Sequence, residues 1–282
     1  MIKVISDSTC DLSQELLERY DITILPLHIV LGDDEYEDGF GITPDEIFAW
    51  SDAHKTTPKT SAPSVEHAVE LFKPILDAGD EIVCFSISED MSTSATVMRM
   101  AAQELDAADR VTVINSQNLS TGIGLLVVEA AIMAKEGRTR EEISARIDEL
   151  IPNVRASFVV DTLVYLYRGG RCSGLEALAG SLLSLHPRIG VAGGKMSPGK
   201  KYRGKINNVI MSYVKDMEED ILKAYDDRVF ITHSGCDRKA VEAVREYLSG
   251  LNYFKEIHET RAGGVISSHC GPGTLGVLFI LK

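Results

Sequence analysis

Short buried-strand patterns alternate with helical patterns through the first half of this chain. Runs rich in Ile, Val and Leu, typical of strands covered on both faces, occupy residues 2–5, 22–30, 81–86 and 110–114. Helices are predicted between them, including one that starts at Thr43-Pro44-Asp45-Glu46 and an Ala/Leu/Val-rich one at residues 120–136. The alternation predicts an α/β domain with a mainly parallel sheet.

A second α/β domain with a mixed sheet is predicted after Pro152-Asn153, which gives domains 1–153 and 154–282. Gly193-Gly194 predicts a hairpin between strands at residues 187–191 and 195–196. The other predicted strands are residues 156–160, 229–232, 254–259 and 275–281. The other predicted helices are residues 163–167, 176–185, 206–225 and 238–248.

Composition limits the class of protein. The net charge of −13 argues against a nucleic-acid partner. No apolar run is long enough for a membrane span, and the N-terminus lacks a signal-peptide profile, so we expect no stable membrane insertion. The five cysteines are scattered without a CxxC pair, which argues against a disulfide framework or a metal site and favours the cytoplasm.

Positive charge is concentrated in one stretch. Residues 177–215 contain no Asp or Glu but carry seven basic side chains: Arg188, Lys195, Lys200, Lys201, Arg203, Lys205 and Lys215. This stretch is either a solvated basic surface or a docking patch for a phosphorylated partner or an anionic surface.

Two glycine-rich segments match nucleotide-binding motifs only superficially. Gly271, Gly273 and Gly276 satisfy the GxGxxG spacing, but the six residues that follow read as a closing strand, not as a helix. Residues 194–200 match the first seven P-loop positions, yet Lys201 stands where Ser or Thr is required. The terminal glycines instead predict a tight turn that brings His269 close to a bound molecule.

An enzyme remains an alternative. His269 with Ser92, Ser267 or Ser268 could begin a catalytic triad, although neither a GxSxG elbow nor an HExxH motif is present. Nothing in the sequence places an orienting acid beside His269. An esterase or an NAD-linked reductase that uses His269 and nearby serines is the second hypothesis.

Polar side chains follow three of the predicted strands. The segment 7–12 comes first, and an Asx-turn with Asp11 capping the first helix is favoured there over a ligand contact. In Thr60-Ser61-Ala62-Pro63-Ser64, Ser64 is the predicted N-cap of a helix at residues 65–76, which leaves Thr60 and Ser61 free to donate. Hydroxyls at residues 86–94 precede another helix start. Together these segments suggest a site for a small anionic head group.

In order along the chain, these motifs resemble the DegV family of bacterial fatty-acid-binding proteins, which includes the carrier subunit of fatty acid kinase. The segments are Asp7-Ser8-Thr9-Cys10-Asp11-Leu12, Thr60-Ser61-Ala62-Pro63-Ser64, the Ser92 loop, residues 163–173 with Phe158 before them, and Ser268-His269-Cys270-Gly271-Pro272-Gly273. The resemblance implies two α/β domains with a long-chain fatty acid buried between them. It also implies that the protein has no cofactor or catalytic residue of its own and presents the carboxylate to a partner kinase, which makes the acyl phosphate. We assign that contact to the basic stretch at residues 188–205.

The resemblance also implies residue roles. Thr60, Ser61, Ser92 and His269 would bind the carboxylate, and Arg203, Thr93 and Ser94 would lie near the mouth. Two departures stand out: Thr93-Ser94 where the family usually has Gly-Thr, and Asn115-Ser116 where Asp-Ser is common. The bulkier Thr93 puts the shape of the head-group pocket in question.

Overall fold

The computed structural model describes residues 1–172 and 185–282. Its strands are β1 (Ile2–Asp7), β2 (Ile22–Leu25), β3 (His28–Leu31), β4 (Asp34–Glu37), β5 (Lys59–Ser61), β6 (Glu81–Ser86), β7 (Val111–Asn115), β8 (Val154–Arg155), β9 (Ser157–Val159), β10 (Leu185–Ala192), β11 (Lys195–Arg203), β12 (Arg228–Ser234), β13 (Glu256–Arg261) and β14 (Thr274–Ile280). Its α-helices are α1 (Gln14–Tyr20), α2 (Pro44–His54), α3 (Val65–Asp77), α4 (Ser94–Glu104), α5 (Thr121–Lys135), α6 (Arg140–Leu150), α7 (Val164–Gly169), α8 (Ile206–Asp216), α9 (Glu218–Ile221), α10 (Arg238–Gly250) and α11 (Gly264–Cys270). The helix predicted at residues 176–185 lies outside the described residues, apart from Leu185, which begins β10.

The first sheet is entirely parallel, as the strand–helix alternation predicts. Its strand order is β2-β1-β6-β7, so the first strand in sequence lies inside the sheet. The carboxyl ends of β1 and β6 therefore lie side by side, and the polar segments that follow them come together at one edge.

The second sheet is mixed, and this prediction is also confirmed. Its order is β11-β10-β9-β14-β12-β13, with β8 pairing on β14. Among the named strands of the described chain, β12 and β13 pair in parallel and the other pairs in this sheet are antiparallel. The hairpin β10–β11 turns at Gly193-Gly194, as expected from those glycines.

A small third sheet was not predicted, and it carries part of the site. The single strand expected at residues 22–30 is wrong because the chain leaves the first sheet at Pro26, which has no N–H to donate to a ladder. Strand β3 then pairs antiparallel with both β4 and β5. In this register Ile29 lies opposite Thr60.

Helix α5 lies in the interior, which confirms the buried helix expected near residues 120–136. It packs against β1 of the first sheet and β14 of the second. Every residue from Thr121 to Val128 is buried. One apolar cluster therefore includes side chains from both halves of the chain. The domain boundary at residue 153 stays a prediction.

Two helix predictions are corrected. The helix expected at residues 206–225 breaks at Met217 into α8 and α9. Asp11 does not cap the first helix: Ser13 does, by accepting the Leu16 N–H, while Asp11 adopts a left-handed conformation. No helix in the described part of the chain has both the length and the apolar character needed to cross a bilayer.

Candidate functional site

A cavity of about 430 Å³ opens where the small sheet, the β6–α4 loop and α11 meet. Its polar lining is Thr60, Ser61, Glu89, Asp90, Ser92, Thr93, Arg171 and His269. Its apolar lining is Leu27, Ala62, Ile87, Met91, Leu119, Met196, Val265, Ile266 and Cys270. Residues from both predicted domains thus enclose one space whose size suits a small-molecule ligand, for which ~300–1,000 Å³ is usual.

Thr60 and Ser61 enter the cavity from β5, the edge strand of the small sheet. Ser64 accepts the His67 N–H and so caps α3, as predicted. Both residues line the cavity, and because Ser64 fills the capping role, the hydroxyls of Thr60 and Ser61 are not used at the helix start.

Ser92 lies in the loop between β6 and α4. Its Oγ is 2.9 Å from Ser94 Oγ and accepts the Ser94 N–H. The resemblance implies that Ser94 lies near the mouth of the cavity. In the structure Ser94 is instead fully buried behind Ser92. Thr93 is exposed and lines the cavity beside Ser92. Ser94 can therefore orient the Ser92 hydroxyl without reaching a ligand itself.

Asn115 supports the same loop from β7. Its Oδ1 accepts the N–H groups of Glu89 and Gln117. These bonds need only an acceptor oxygen, which an aspartate would supply equally well. The Asn115 departure therefore leaves the support of the Ser92 loop intact.

His269 lies in the last turn of α11 and reaches the small sheet. No helix was predicted between the strands at residues 254–259 and 275–281, but a seven-residue helix stands between β13 and the glycine turn. The ring Nε2 is 2.8 Å from Oγ1 of Thr60, which lies 209 residues earlier in the chain. The structure thus brings together two of the side chains assigned to the head group.

The electrostatics of His269 favour a neutral ring. Burial, with the nearby positive charge of Arg171, lowers its pKa to about 4. Nδ1 is buried and has no hydrogen-bond partner among the residues that the structure describes. We assign the proton to Nε2, because an unmet acceptor is better tolerated than an unmet N–H donor. Nε2–H then donates to Thr60 Oγ1, and the hydroxyl hydrogen of Thr60 remains available to a ligand in the cavity.

Arg171 is the arginine at this cavity. Its guanidinium donates to the carbonyl of Gly169 at 2.7 Å. Arg203, expected at the mouth, is exposed at the end of β11 and is not among the residues that line the cavity. The sequence contains several arginines and does not indicate that Arg171 is one that lines the cavity. The position of this side chain depends on how α7 ends.

The β10–β11 hairpin closes one wall, which sequence reasoning missed. Ser88 Oγ donates to the Gly194 carbonyl at 2.7 Å, and Lys195 lies 3.5 Å from Asp90. Met196, the next residue, lines the cavity. The turn glycines signalled a hairpin, but only the fold shows that its tip packs on the β6–α4 loop.

The motifs considered for enzymes serve the fold. Ser267 and Ser268 donate to the carbonyls of Ala262 and Gly264, and neither is hydrogen-bonded to His269. Gly271 has φ +76° and lies against the ring of Tyr165, where a Cβ would not fit. The segment leads into β14, as expected, so it cannot form a dinucleotide-binding turn.

Replacing Gly169 with Ala is expected to break the Thr60–His269 contact. A Cβ at this position would overlap Nδ1 of His269, so the ring would have to turn away. Histidine NMR should show a moved and more solvated His269, with its pKa closer to 6.5. Gly250→Ala is the matched control, because a Cβ there meets no atom within 4 Å. An unchanged His269 signal in Gly169→Ala would contradict the packing described.

Comparison with known proteins identifies the family of this chain. Residues 1–282 match the family model described as "Uncharacterised protein, DegV family". The chain belongs to the DegV family. A DegV domain-containing protein of Deinococcus radiodurans is 30% identical over 276 residues, with 98% of this chain and 97% of the relative covered.

Solved structures of the family share the fold along the whole chain. A DegV family protein from Thermus thermophilus, described by its fatty acid binding, superposes with a TM-score of 0.90 at 31% identity, covering 100% of this chain and 99% of the other. A stearic acid-binding protein from Eubacterium ventriosum superposes with a TM-score of 0.85 at 30% identity and the same coverage. The DegV family resemblance seen in the sequence is therefore confirmed.

Proposed function

We propose that this protein binds a long-chain fatty acid, with the carboxylate at Thr60, Ser61, Ser92 and His269. The observation that carries the proposal is the Thr60–His269 contact in a cavity lined by both polar and apolar side chains. Fatty acid binding by DegV family structures of about 30% identity supports it.

The head-group chemistry follows from uncharged hydrogen-bond donors. A fatty acid carboxylate needs hydrogen-bond donors, and the hydroxyls of Thr60 and Ser92 can supply them without a second buried charge. His269 Nε2–H orients the Thr60 hydroxyl, and Ser94 orients that of Ser92. Arg171 adds a positive charge at the same wall, which favours the ionised acid.

The acyl tail supplies most of the binding free energy. Removing about 15 methylenes from water stabilises the complex by ~12 kcal/mol, at ~0.8 kcal/mol for each CH₂. A hydrogen bond to a carboxylate contributes ~1.5–3 kcal/mol. A narrower apolar void of about 30 Å³ shares Leu119, Ile266 and Cys270 with the main cavity. In our proposal the tail runs in that direction, towards Phe158 and Leu278.

We further propose that the bound acid is presented to a fatty acid kinase, which makes the acyl phosphate, and that the protein works in the cytoplasm. The basic stretch at residues 188–205 is the proposed contact. All five charges from Lys195 to Lys205 are exposed, and two of them are already paired, Lys195 with Asp90 and Lys200 with Asp216. The other three are Lys201, Arg203 and Lys205. These three are the charges best placed to meet an acidic partner.

The carrier is favoured over an enzyme by the surroundings of His269. A triad needs an acid on the second ring nitrogen, and within residues 1–172 and 185–282 Nδ1 of His269 has no hydrogen-bond partner. Its Nε2 meets a threonine instead of a serine. We therefore propose that the protein carries its ligand without converting it.

A titration that compares hexadecanoic acid with hexadecanol tests the proposal. Both have the same tail length, so the ratio of their affinities, here called the head-group ratio, isolates the carboxylate contacts. We expect tight binding of the acid and a head-group ratio of at least about tenfold, as expected for one hydrogen bond to a charged group. Equal affinities would contradict the proposed carboxylate site. If the protein binds neither lipid, the proposed function is wrong.

A further inference from the structure

Helix α11, which carries His269, begins without a capping side chain of its own. Its N-cap residue is Gly263, which has no side-chain hydrogen bond to give. The free N–H groups at its start are instead accepted by two buried aspartates from the first part of the chain.

Asp38 makes the closest of these bonds. Its Oδ1 accepts the N–H groups of Gly264 at 2.7 Å and Val265 at 3.3 Å. Its Oδ2 accepts the Ser8 hydroxyl at 2.8 Å, and Ser8 in turn accepts the Leu27 N–H. Both carboxylate oxygens are therefore held, and the side chain is 2% exposed.

Asp11 adds a second bond to the same end. Its Oδ1 accepts the Gly263 N–H at 2.8 Å, and its Oδ2 accepts the Ser120 hydroxyl at 2.5 Å. Three consecutive N–H groups of the helix start are thus bound by carboxylates that lie more than 220 residues away in the chain.

The small sheet contacts α11 at both of its ends. Asp38 directly follows β4, and its own N–H donates to the Leu27 carbonyl next to β3. At the other end, His269 meets Thr60 on β5. At the helix start, a Cβ on Gly264 would come 2.5 Å from Ile29 Cδ1, and Ile29 is the residue opposite Thr60. The start of α11 therefore packs closely against β3, the strand that pairs with the Thr60 strand β5.

From this arrangement we infer that Asp38 is a positioning residue of the head-group site, with Asp11 in support: by holding the start of α11 it places His269 Nε2 on Thr60 Oγ1. The inference rests on the proposed function for its effect on ligands. A seven-residue helix is short enough that a shift at its first turn reaches its last turn as a rigid displacement, over about 7–8 Å. The Thr60–His269 bond tolerates only a few tenths of an ångström of such movement.

Asp38→Ala tests the inference, with Asp7→Ala as the matched control. Asp7 is an equally buried aspartate, but it accepts from Thr9 and Ile87 and makes no bond to α11. Both variants should lose stability. Only Asp38→Ala should raise the pKa of His269 from about 4 towards 6.5, in histidine NMR of the lipid-free protein, and lower the head-group ratio about tenfold.

Two further variants complete the test. Asp38→Asn should restore most of both readouts, because an amide oxygen still accepts the Gly264 N–H. Gly264→Ala pushes the helix start away from Ile29 and should repeat the Asp38→Ala result, which decides the matter if Asp38→Ala does not fold. A wild-type His269 pKa and head-group ratio in Asp38→Ala, or in Gly264→Ala, would overturn the positioning role. Failure of the wild-type protein to bind hexadecanoic acid would instead reject the proposed function, and the NMR measurement would still decide the role of Asp38.

Discussion

The double variant Thr60→Val, Ser92→Ala is expected to lower phosphorylation of the bound acid by a bacterial fatty acid kinase on the order of 100-fold. Each substitution removes one hydroxyl donor to the carboxylate, and each bond to a charged acceptor is worth ~1.5–3 kcal/mol. Bound lipid should remain, because the tail supplies most of the affinity. The measurements are the rate of acyl phosphate formation and the lipid content of the same preparation.

Ser64→Ala is the control for this double variant. It removes a hydroxyl from the same segment, but one that caps α3 and does not line the cavity. We expect it to cost about 1 kcal/mol of stability and to leave phosphorylation unchanged. Wild-type phosphorylation in the double variant would show that the carboxylate lies elsewhere.

Reversing Lys201, Arg203 and Lys205 to Glu is expected to slow engagement of the kinase strongly at low ionic strength. The change reverses three exposed charges in the stretch that lacks acids, and electrostatic steering of this kind mainly raises the encounter rate. Salt screens such fields over ~8–10 Å, so the defect should shrink as ionic strength rises. Kinase titrations at low and high salt, with lipid content measured in parallel, provide the test.

Lys55, Lys73 and Lys239 reversed to Glu form the matched control. These side chains are also exposed, and their reversal changes the net charge by the same amount. If both triple variants slow the kinase equally, net charge alone governs the encounter. If neither does, residues 188–205 are a solvated surface and the partner docks elsewhere.

The sequence predicted the sheets better than the site. Strand–helix alternation is a local pattern, so the parallel first sheet, the mixed second sheet and buried α5 could all be read from it. The small sheet could not, because three of the four residues of β4 are acidic and β5 has only three residues. Their pairing depends on contacts with β3 that no local pattern records.

Some of the site residues could also be predicted from the sequence, and others could not. Thr60 was found because Ser64 accounts for the helix cap and leaves the other hydroxyls unassigned. The positions of Arg171 and Asp38 at the site were not predicted, for two different reasons. Arg171 depends on how the chain leaves α7. Asp38 ends the acidic run at residues 33–38, where no local pattern distinguishes it, yet it is buried against a helix start more than 220 residues away.

Organic extraction and mass spectrometry of the protein purified from cells test whether it binds a long-chain fatty acid. We expect an equimolar long-chain fatty acid, retained because its methylenes lie against the apolar lining of the cavity that contains the Thr60–His269 contact. A bound nucleotide, or a cavity that stays empty when the protein is supplied with hexadecanoic acid, would contradict it.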